Sequence, residues 1–279
     1  MFDYVTNAMN PAPTLVTEPS QPERGRIKYL PYCDSVVMDV PDSQAALKAQ
    51  HKSKFWSTLR RKERRFVDTH GDLSFRVISD EDELRHWLPR VRELFCERWA
   101  DEYTSLPWKT VEGFAPYRDA MITLARLGEA ELLVLETGGR LLSFAYCLAN
   151  GDTYYFYQHA TTTAEQYRRF SPGKLLVWKM ITHLVDDGRY RFLDFMLGDH
   201  DYKHEWGSRS QPVYLKISEE RTVTGLARYG AKWAYYSLKI HVQFRNETLR
   251  SIAKRLLNIR SRISASDTGP RRHHSESLV

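Results

Sequence analysis

The sequence predicts an α+β fold in which helices flank a mixed, mostly antiparallel sheet. Three apolar runs separated by glycine turns, at 131–136, 140–149 and 152–160, predict a meander of three strands. A helical segment at 174–187 and another apolar strand at 191–197 follow. This order of strands and helices is typical of a sheet layered against helices.

The segment before the meander begins with an arm and a long helix. Residues 1–28 hold four of the twelve prolines and little apolar periodicity, so we predict a flexible arm. The apolar run 35–40 predicts the first strand. One helix is expected from Ser43, which can cap it, up to Gly71, because neither proline nor glycine interrupts this stretch.

Apolar alternation at 73–79 predicts a half-buried strand. Asp80 and Glu83 form a plausible capping pair at the start of the next helix, and another helix is expected at about 111–127.

The C-terminal part contains one further strand and a basic extension. The apolar run 212–218 predicts the last strand of a domain that covers 29–220. Residues 221–262 predict a basic, helical extension, and residues 263–279 have the composition of a disordered tail.

Composition excludes several classes of protein. The chain has no apolar run of about 18 residues that could span a membrane. Its N-terminus lacks the pattern of a signal peptide. Three widely spaced cysteines indicate a reducing cytoplasm rather than a disulfide framework. The net charge of +6 is compatible with an anionic ligand but identifies no partner.

A phosphate-binding loop is predicted where the helix after the meander begins. Pro172 suits the first turn of that helix, and Gly173 leaves backbone N–H groups open to an anion. Arg168, Arg169 and Lys174 add positive charge beside them. Each exposed contact of this kind contributes only about 0.3–1 kcal/mol, so several are needed. The alternative is an ordinary helix start beside a solvated basic loop.

An ordered set of short motifs over residues 29–218 resembles one family. The set comprises Phe156-Tyr157-Gln158, Tyr167, Ser171-Pro172-Gly173, Asp194-Phe195, Gly198-Asp199, Tyr202-Lys203 and Trp206. The chain resembles the GNAT-like acetyltransferases associated with bacterial cellulose biosynthesis, which are related in fold to the Fem-type peptidoglycan aminoacyltransferases. Members usually carry another GNAT-like half before this region, whereas only residues 1–28 precede it here. The resemblance therefore implies a shortened member.

The resemblance implies acetyl-CoA or another acyl-CoA as acyl donor, and no metal. In the GNAT pattern, the strand before the phosphate loop splays from its neighbour, and its backbone groups pair with the pantetheine arm. That role would fall on Tyr157–Ala160, which includes Gln158. Ser171 joins the cofactor-binding residues through the Ser-Pro-Gly motif.

Three residues are the catalytic candidates. His159 stands where the family usually has a small residue; with an ordinary pKa near ~6.5 it could take a proton from an ammonium, or simply pack among aromatic residues. Asp199 could orient the amine or accept its proton, or cap a short helix. Tyr202 could protonate the departing thiolate. His200 and His204 have a spacing known from zinc sites, but the resemblance implies no metal.

The acceptor side is assigned to Lys203, Trp206, Arg60 and Arg61. Lys203 could bind a carboxylate or phosphate. The arginines belong to segment 52–65, which holds seven Lys/Arg and one Glu. Such a segment is either a solvated helix face or a contact for an anion, such as a nucleotide-linked sugar, a lipid phosphate, an anionic bilayer or tRNA.

Three functions follow from these observations. The first is CoA-dependent N-acyl transfer to an amine of a sugar, an amino acid or a cell-envelope or polysaccharide precursor. The second is a Fem-type, aminoacyl-tRNA-dependent transfer, which the basic segment 52–65 supports. The third is a non-catalytic module that binds nucleic acid or an anionic membrane surface through its basic helices; no nucleic-acid motif supports it. We expect a cytoplasmic protein, with a peripheral position at the inner membrane face as the alternative.

Overall fold

The computed structural model describes residues 14–16, 26–99, 107–198, 200–219 and 223–240. The chain forms two compact units. The larger unit is Cys33–Val213, and the smaller one combines Met1–Tyr32 with Tyr214–Val279. Within the described residues, no helix is both long and apolar enough to cross a membrane.

The first half of the chain contains three strands and four helices in its described part. They are β1 (Thr14–Val16), β2 (Arg26–Asp39), α1 (Gln44–Ala49), α2 (Ser53–His70), β3 (Ser74–Ile78), α3 (Glu81–Trp99) and α4 (Val111–Arg126).

The second half begins with the predicted meander of three strands, and helices and further strands follow it. They are β4 (Ala130–Thr137), β5 (Arg140–Asn150), β6 (Thr153–Thr161), α5 (Glu165–Arg168), α6 (Pro172–Asp187), β7 (Phe192–Leu197), α7 (Asp201–His204), β8 (Arg209–Glu219) and α8 (Val223–Ile240).

The sheet of the larger unit has the order β2-β7-β6-β5-β4-β3. All neighbouring strands in it are antiparallel except β6 and β7, which are parallel. In the smaller unit, β1 pairs antiparallel with β8 through Tyr214–Lys216. The predicted class, a mixed and mostly antiparallel sheet flanked by helices, is therefore confirmed.

Local turn chemistry explains the meander. Gly138 and Gly139 join β4 to β5 with φ values of 52° and 76°, and Gly151 joins β5 to β6 with φ 59°. Side chains with a Cβ rarely adopt such positive values, so glycine is the residue that permits these tight reversals.

Side-chain alternation along β4 divides the core into two layers. Leu133 and Leu135 contact the layer that contains α6 and α2, while Leu132 and Val134 contact the layer that contains α3 and α4. Successive strand residues point to opposite faces of a sheet, so one strand supplies both layers. The sheet is thus buried between helices on both sides.

The structure differs from the sequence prediction in the first half of the chain. The single helix expected from Ser43 to Gly71 is two helices, and the backbone breaks at 50–52. Ser43 does cap α1, by accepting a hydrogen bond from the Ala46 N–H at 3.1 Å. Residues 14–16 and 26–28, predicted as part of a flexible arm, are strand residues. Strand pairing is a tertiary contact that local composition does not reveal.

Other predicted elements agree closely with the structure. The Glu83 N–H donates to the Asp80 carboxylate at 3.0 Å, which confirms the capping pair before α3. Gly188 ends α6 with φ 70°, as its position predicted. The predicted extension is helical over Val223–Ile240; its remainder, 241–262, and the tail 263–279 lie outside the described residues.

Candidate functional site

Strands β6 and β7 part in the middle of the sheet. Their parallel register covers Thr153–Tyr155 on β6 and ends opposite Asp194 on β7. Beyond this point β6 continues to pair with β5 up to Thr161, whereas β7 pairs with β2, where Ser35 lies opposite Leu197. A gap therefore opens between the two strands, at the place where the splayed strand was expected.

Backbone alternation indicates which residues face this gap. The Thr162 N–H donates to the Leu142 carbonyl at 2.8 Å, so the backbone of Thr162 faces β5. Because backbone groups alternate along a strand, those of Gln158 also face β5, while those of His159 face the gap. The Trp99 indole N–H donates to the His159 carbonyl at 3.1 Å, in agreement with this orientation. The β5–β6 register shifts between Tyr146 and Leu148, so the alternation is interrupted next to Tyr157.

Asp194 fixes the point of divergence. One carboxylate oxygen accepts from the Ser35 hydroxyl at 2.5 Å and from the Met196 N–H at 2.7 Å. Met196 has φ 63°, which turns β7 away from a regular strand path. Asp194 thus has a structural role, with Ser35 and Met196 as partners. The guanidinium of Arg191 lies 3.9 Å from the carboxylate of Asp152.

Helix α6 begins beside Thr161, the last residue of β6. Ser171 adopts a left-handed conformation with φ 56°, and Pro172 occupies the first turn. A Cβ added to Gly173 would lie 2.6 Å from the Thr161 hydroxyl oxygen. Glycine is thus needed for close packing of α6 on the end of β6, a reason that the loop sequence alone does not show.

Two lysines approach the start of α6. The Lys62 ammonium donates to the Ser171 hydroxyl oxygen at 2.6 Å, and Lys174 forms an ion pair with Glu205. Burial, followed by the positive charge of Lys174, lowers the pKa of Lys62. An anion placed between these two cations would relieve their mutual repulsion.

A cavity of about 320 Å³ lies beside these lysines. The Lys174 ammonium also lies 5.1 Å from the centre of the Phe55 ring in the cavity wall. The cavity is lined by Lys52, Lys54, Phe55, Thr58, Leu59, Lys62 and Lys174. Four of these seven residues are lysines. The cavity therefore combines an apolar wall with a positive rim.

The predicted arginines lie outside this cavity. Arg168 lies 3.7 Å from Glu165, and the Arg169 guanidinium lies over the Phe170 ring at 4.7 Å. Both are exposed, as are Arg60 and Arg61 on α2. The structure brings Ser171, Gly173 and Lys174 together but leaves these four arginines apart from them.

Sequence reasoning missed Lys52, Lys54 and Lys62 as individual site residues. Lys54, Thr58 and Lys62 are four residues apart on α2 and line the same cavity. Residues at i and i+4 share a helix face, so this spacing separates the cavity lysines from Arg60 and Arg61. The signal was present in the sequence within segment 52–65.

His159 is packed among aromatic rings. Its imidazole stacks on Phe156 with ring centres 4.5 Å apart, and the rings of Trp99 and Tyr202 both lie 6.3 Å away. Burial, followed by the nearby charges of Lys203 and Arg98, lowers the pKa of His159 to about 4. The imidazole is therefore neutral at neutral pH and holds a proton weakly.

Tyr202 lies on the short helix α7, which follows β7. Its ring is 36% exposed and stacks against His200 with centres 6.2 Å apart. Burial raises its pKa to about 12, so the hydroxyl group keeps its proton at neutral pH. Asp199, the third catalytic candidate, lies outside the described residues.

Two of the four residues assigned to the acceptor, Lys203 and Trp206, are buried. Lys203 is 2% exposed, and its ammonium donates to the carbonyls of Met196, Leu197 and Gly198 at 2.9–3.0 Å. Trp206 is 1% exposed and belongs to the core layer with α2 and α6. These placements favour support of the end of β7 over the predicted contact with an acceptor.

Among residues 14–16, 26–99, 107–198, 200–219 and 223–240, no three His, Cys, Asp or Glu side chains are grouped closely enough to hold a metal ion.

Comparison with known families gives one match over more than half of the chain. The acetyltransferase (GNAT) domain family matches residues 53–204. This range contains the gap, the start of α6 and the cavity lysines Lys54, Lys62 and Lys174. No curated protein matches the sequence.

Solved structures with a similar fold share little sequence with this chain. The C-terminal domain of a lysylphosphatidylglycerol synthetase from Agrobacterium fabrum has a TM-score of 0.50 at 13% identity, covering 76% of this chain and 66% of that one. FemX has a TM-score of 0.49 at 13% identity, covering 67% and 62%. An aminoglycoside acetyltransferase from a soil metagenome, in complex with sisomicin, has a TM-score of 0.38 at 15% identity, covering 50% and 87%. The chain thus spans less than two thirds of the first two structures.

Proposed function

Because the chain belongs to the acetyltransferase (GNAT) domain family, we propose that it transfers an acyl group from a CoA thioester to an amine. Acetyl-CoA is the donor we favour, and the acceptor is an amine of a small molecule such as a sugar or amino acid, or of a cell-envelope or polysaccharide precursor. The observation that carries the proposal is the gap between β6 and β7, which leads to a helix start flanked by Lys62 and Lys174.

The residues around the gap fit a CoA thioester. A narrow chain with amide groups can hydrogen-bond to the backbone of β6 at His159, as an added strand would. Phosphate groups suit the start of α6 at Gly173, together with the ammonium groups of Lys62 and Lys174. When bound, the thioester supplies an activated acyl carbon. The backbone N–H of a gap residue can stabilise negative charge that develops on the acyl oxygen.

Tyr202 and His159 receive different roles in this proposal. Tyr202 holds a proton on its hydroxyl oxygen at neutral pH and can donate it to a departing thiolate. His159, with a pKa of about 4, is a poor acceptor for the proton of an ammonium group. We therefore assign His159 to packing and positioning, and the amine would arrive at the site already neutral. A proton-accepting role for Asp199 stays a prediction.

One observation favours a second candidate function. Arg60 and Arg61 add exposed positive charge to α2, the helix that also supplies cavity lysines. Such a surface is suited to the phosphates of a nucleic acid. An aminoacyl-tRNA-dependent transfer is therefore the alternative, with tRNA in place of CoA as carrier of the acyl group.

Isothermal titration with acetyl-CoA, longer acyl-CoAs and free CoA tests the proposal. We expect saturable binding of acetyl-CoA, and turnover when a panel of amines is added. Absence of heat and of any thermal shift with every CoA compound would overturn it. A gel-shift titration with tRNA at physiological salt addresses the alternative, because binding of tRNA without binding of CoA compounds would favour the Fem-type reaction.

A further inference from the structure

Helix α8 exposes apolar residues at every position whose exposure the structure describes. Every residue of Val223–Ile240 that the structure describes as exposed is valine, leucine, alanine, glycine or tryptophan. They are Val223, Leu226, Ala227, Gly230, Ala231, Trp233, Ala234 and Leu238. Exposed helix faces of globular proteins normally carry charged and polar residues, so this composition requires an explanation.

These residues lie on one side of the helix, which we call the apolar face of α8; the half-buried Ser237 lies among them. At about 100° per residue, they span an arc of roughly 160°. Val223 is 88% exposed, Leu238 64%, Leu226 51% and Trp233 40%. The opposite side of the helix holds the buried residues Lys232, Tyr236 and Ile240. The described outward residues of α8 are thus apolar, although hydrophobic residues, Tyr236 and Ile240, also lie on its inward side.

The charge of the surrounding sequence indicates what covers this face. Residues 221–262 contain ten Lys/Arg and a single acidic residue, Glu247. A basic segment attracts anionic lipid head groups, while an apolar face can enter the boundary between head groups and acyl chains. Tryptophan is favoured at that boundary, because its indole has an apolar body and a polar N–H group.

We propose that α8 lies in the plane of an anionic phospholipid surface, with its apolar face immersed and the anionic head groups attracted by the net positive charge of the sequence 221–262. The helix does not span the bilayer; it binds at the interface. This inference concerns the smaller unit alone and is independent of the acyl transfer proposed above.

Co-sedimentation of the full chain with lipid vesicles tests the inference. One vesicle preparation contains equal parts of phosphatidylglycerol and phosphatidylcholine, and the other contains phosphatidylcholine alone. We expect the protein to bind the anionic vesicles and to bind the neutral ones much more weakly, with the difference shrinking as salt is added. The double variant Leu226→Glu/Leu238→Glu should bind anionic vesicles roughly tenfold or more weakly than the unsubstituted chain.

Leu127→Glu is the matched control, because Leu127 is 66% exposed, much like Leu238, but ends helix α4. It should bind vesicles as the unsubstituted chain does, and circular dichroism should show both variants folded. Equal binding to neutral and anionic vesicles, or an equal loss in the Leu127→Glu control, would overturn the inference. If the chain ignores vesicles but self-associates in sedimentation velocity, and the double variant is monomeric, the apolar face of α8 is instead a contact between copies.

Discussion

The Lys62 ammonium donates a hydrogen bond to the hydroxyl oxygen of Ser171, 2.6 Å away, and so joins two helices that are far apart in the sequence. Ser171 is the left-handed residue immediately before α6. The contact therefore places a cation at the positive end of a helix, where a second cation, Lys174, already lies. The ion pair of Lys174 with Glu205 offsets part of the repulsion between the two cations, and a bound anion would offset more of it.

Replacement of Lys62 by methionine should weaken binding of acetyl-CoA. One charge-assisted hydrogen bond contributes about 1.5 kcal/mol, which corresponds to a roughly tenfold higher Kd by calorimetry. Affinity should also decline with rising pH earlier than for an ordinary lysine, because burial and Lys174 lower the pKa of Lys62 and only its protonated form attracts an anion. Lys48→Met, an exposed lysine on α1, is the control. An equal loss in the control would contradict the assignment.

Replacement of Gly173 by alanine should destabilise the fold. The new Cβ would meet the Thr161 hydroxyl oxygen at 2.6 Å, and that oxygen is held 2.9 Å from the Ser143 hydroxyl. Overpacking of this kind costs about 1–3 kcal/mol in the free energy of unfolding, measured with urea. The double variant with Thr161→Ala should recover part of the loss.

Gly230→Ala provides the comparison for this experiment. Gly230 lies inside α8 with no atom within 4 Å of an added Cβ, so its replacement should leave stability unchanged or raise it by about 0.5–1 kcal/mol. Equal effects of the two glycine substitutions would show that helix propensity, not the contact with Thr161, decides the outcome.

Removal of the Asp194 carboxylate should destabilise the protein at the point where β6 and β7 separate. Asp194→Ala leaves the Ser35 hydroxyl and the Met196 N–H without their common acceptor, at a cost of about 1–3 kcal/mol in the free energy of unfolding. Asp152→Ala is the control, since its contact with Arg191 is exposed and should contribute no more than about 1 kcal/mol. Denaturant titration of both variants compares the two losses directly.

Tyr202→Phe should separate chemistry from binding in the proposed transfer. Loss of a general acid typically slows turnover by a factor of about 10² to 10⁴, whereas KM for the donor should change little. The pKa of about 12 keeps the Tyr202 hydroxyl protonated well into the alkaline range, so the rate should not fall near neutral pH because of this group. Steady-state kinetics of Tyr202→Phe beside Tyr155→Phe checks the assignment, and an unchanged kcat in Tyr202→Phe would refute it.

His159 should make stability depend on pH in the acidic range. Its folded pKa of about 4 lies below the ordinary value of 6.5, so the unfolded chain takes up the proton first as pH falls. The free energy of unfolding should therefore decrease from pH 6.5 towards pH 4. His159→Phe, which preserves a ring beside Phe156, should flatten this part of the profile in urea titrations at several pH values. An unaltered slope would show that other groups cause the loss.

Locally encoded features were predictable from the sequence. The glycine turns at Gly138-Gly139 and Gly151 determine the meander, and Pro172 and Gly188 mark the two ends of α6. In each case, the backbone conformation is a property of the residue itself, so no knowledge of distant contacts is needed.

Features that depend on distant contacts were not predictable. The break at 50–52 contains neither proline nor glycine; there His51 stacks on Phe55 with ring centres 4.3 Å apart and lies edge-on to Trp206. From the sequence, Lys203 is expected to be a solvent-facing cation. In the structure, its ammonium group donates to the carbonyl groups of Met196 and Leu197. The basic segment 52–65 was predictable as a whole. Which of its residues line the cavity and which face solvent depends on the position of α6, which the sequence does not show.

The parting of β6 and β7 gives this sheet an edge in its interior. An ordinary sheet edge lies at the periphery, where it can recruit strands from other molecules and promote aggregation. Here the unpaired stretch near Tyr157 lies between two strands of the same sheet, β5 and β7. An edge inside a sheet can offer strand-like hydrogen bonding to a linear ligand without adding an exposed edge at the periphery.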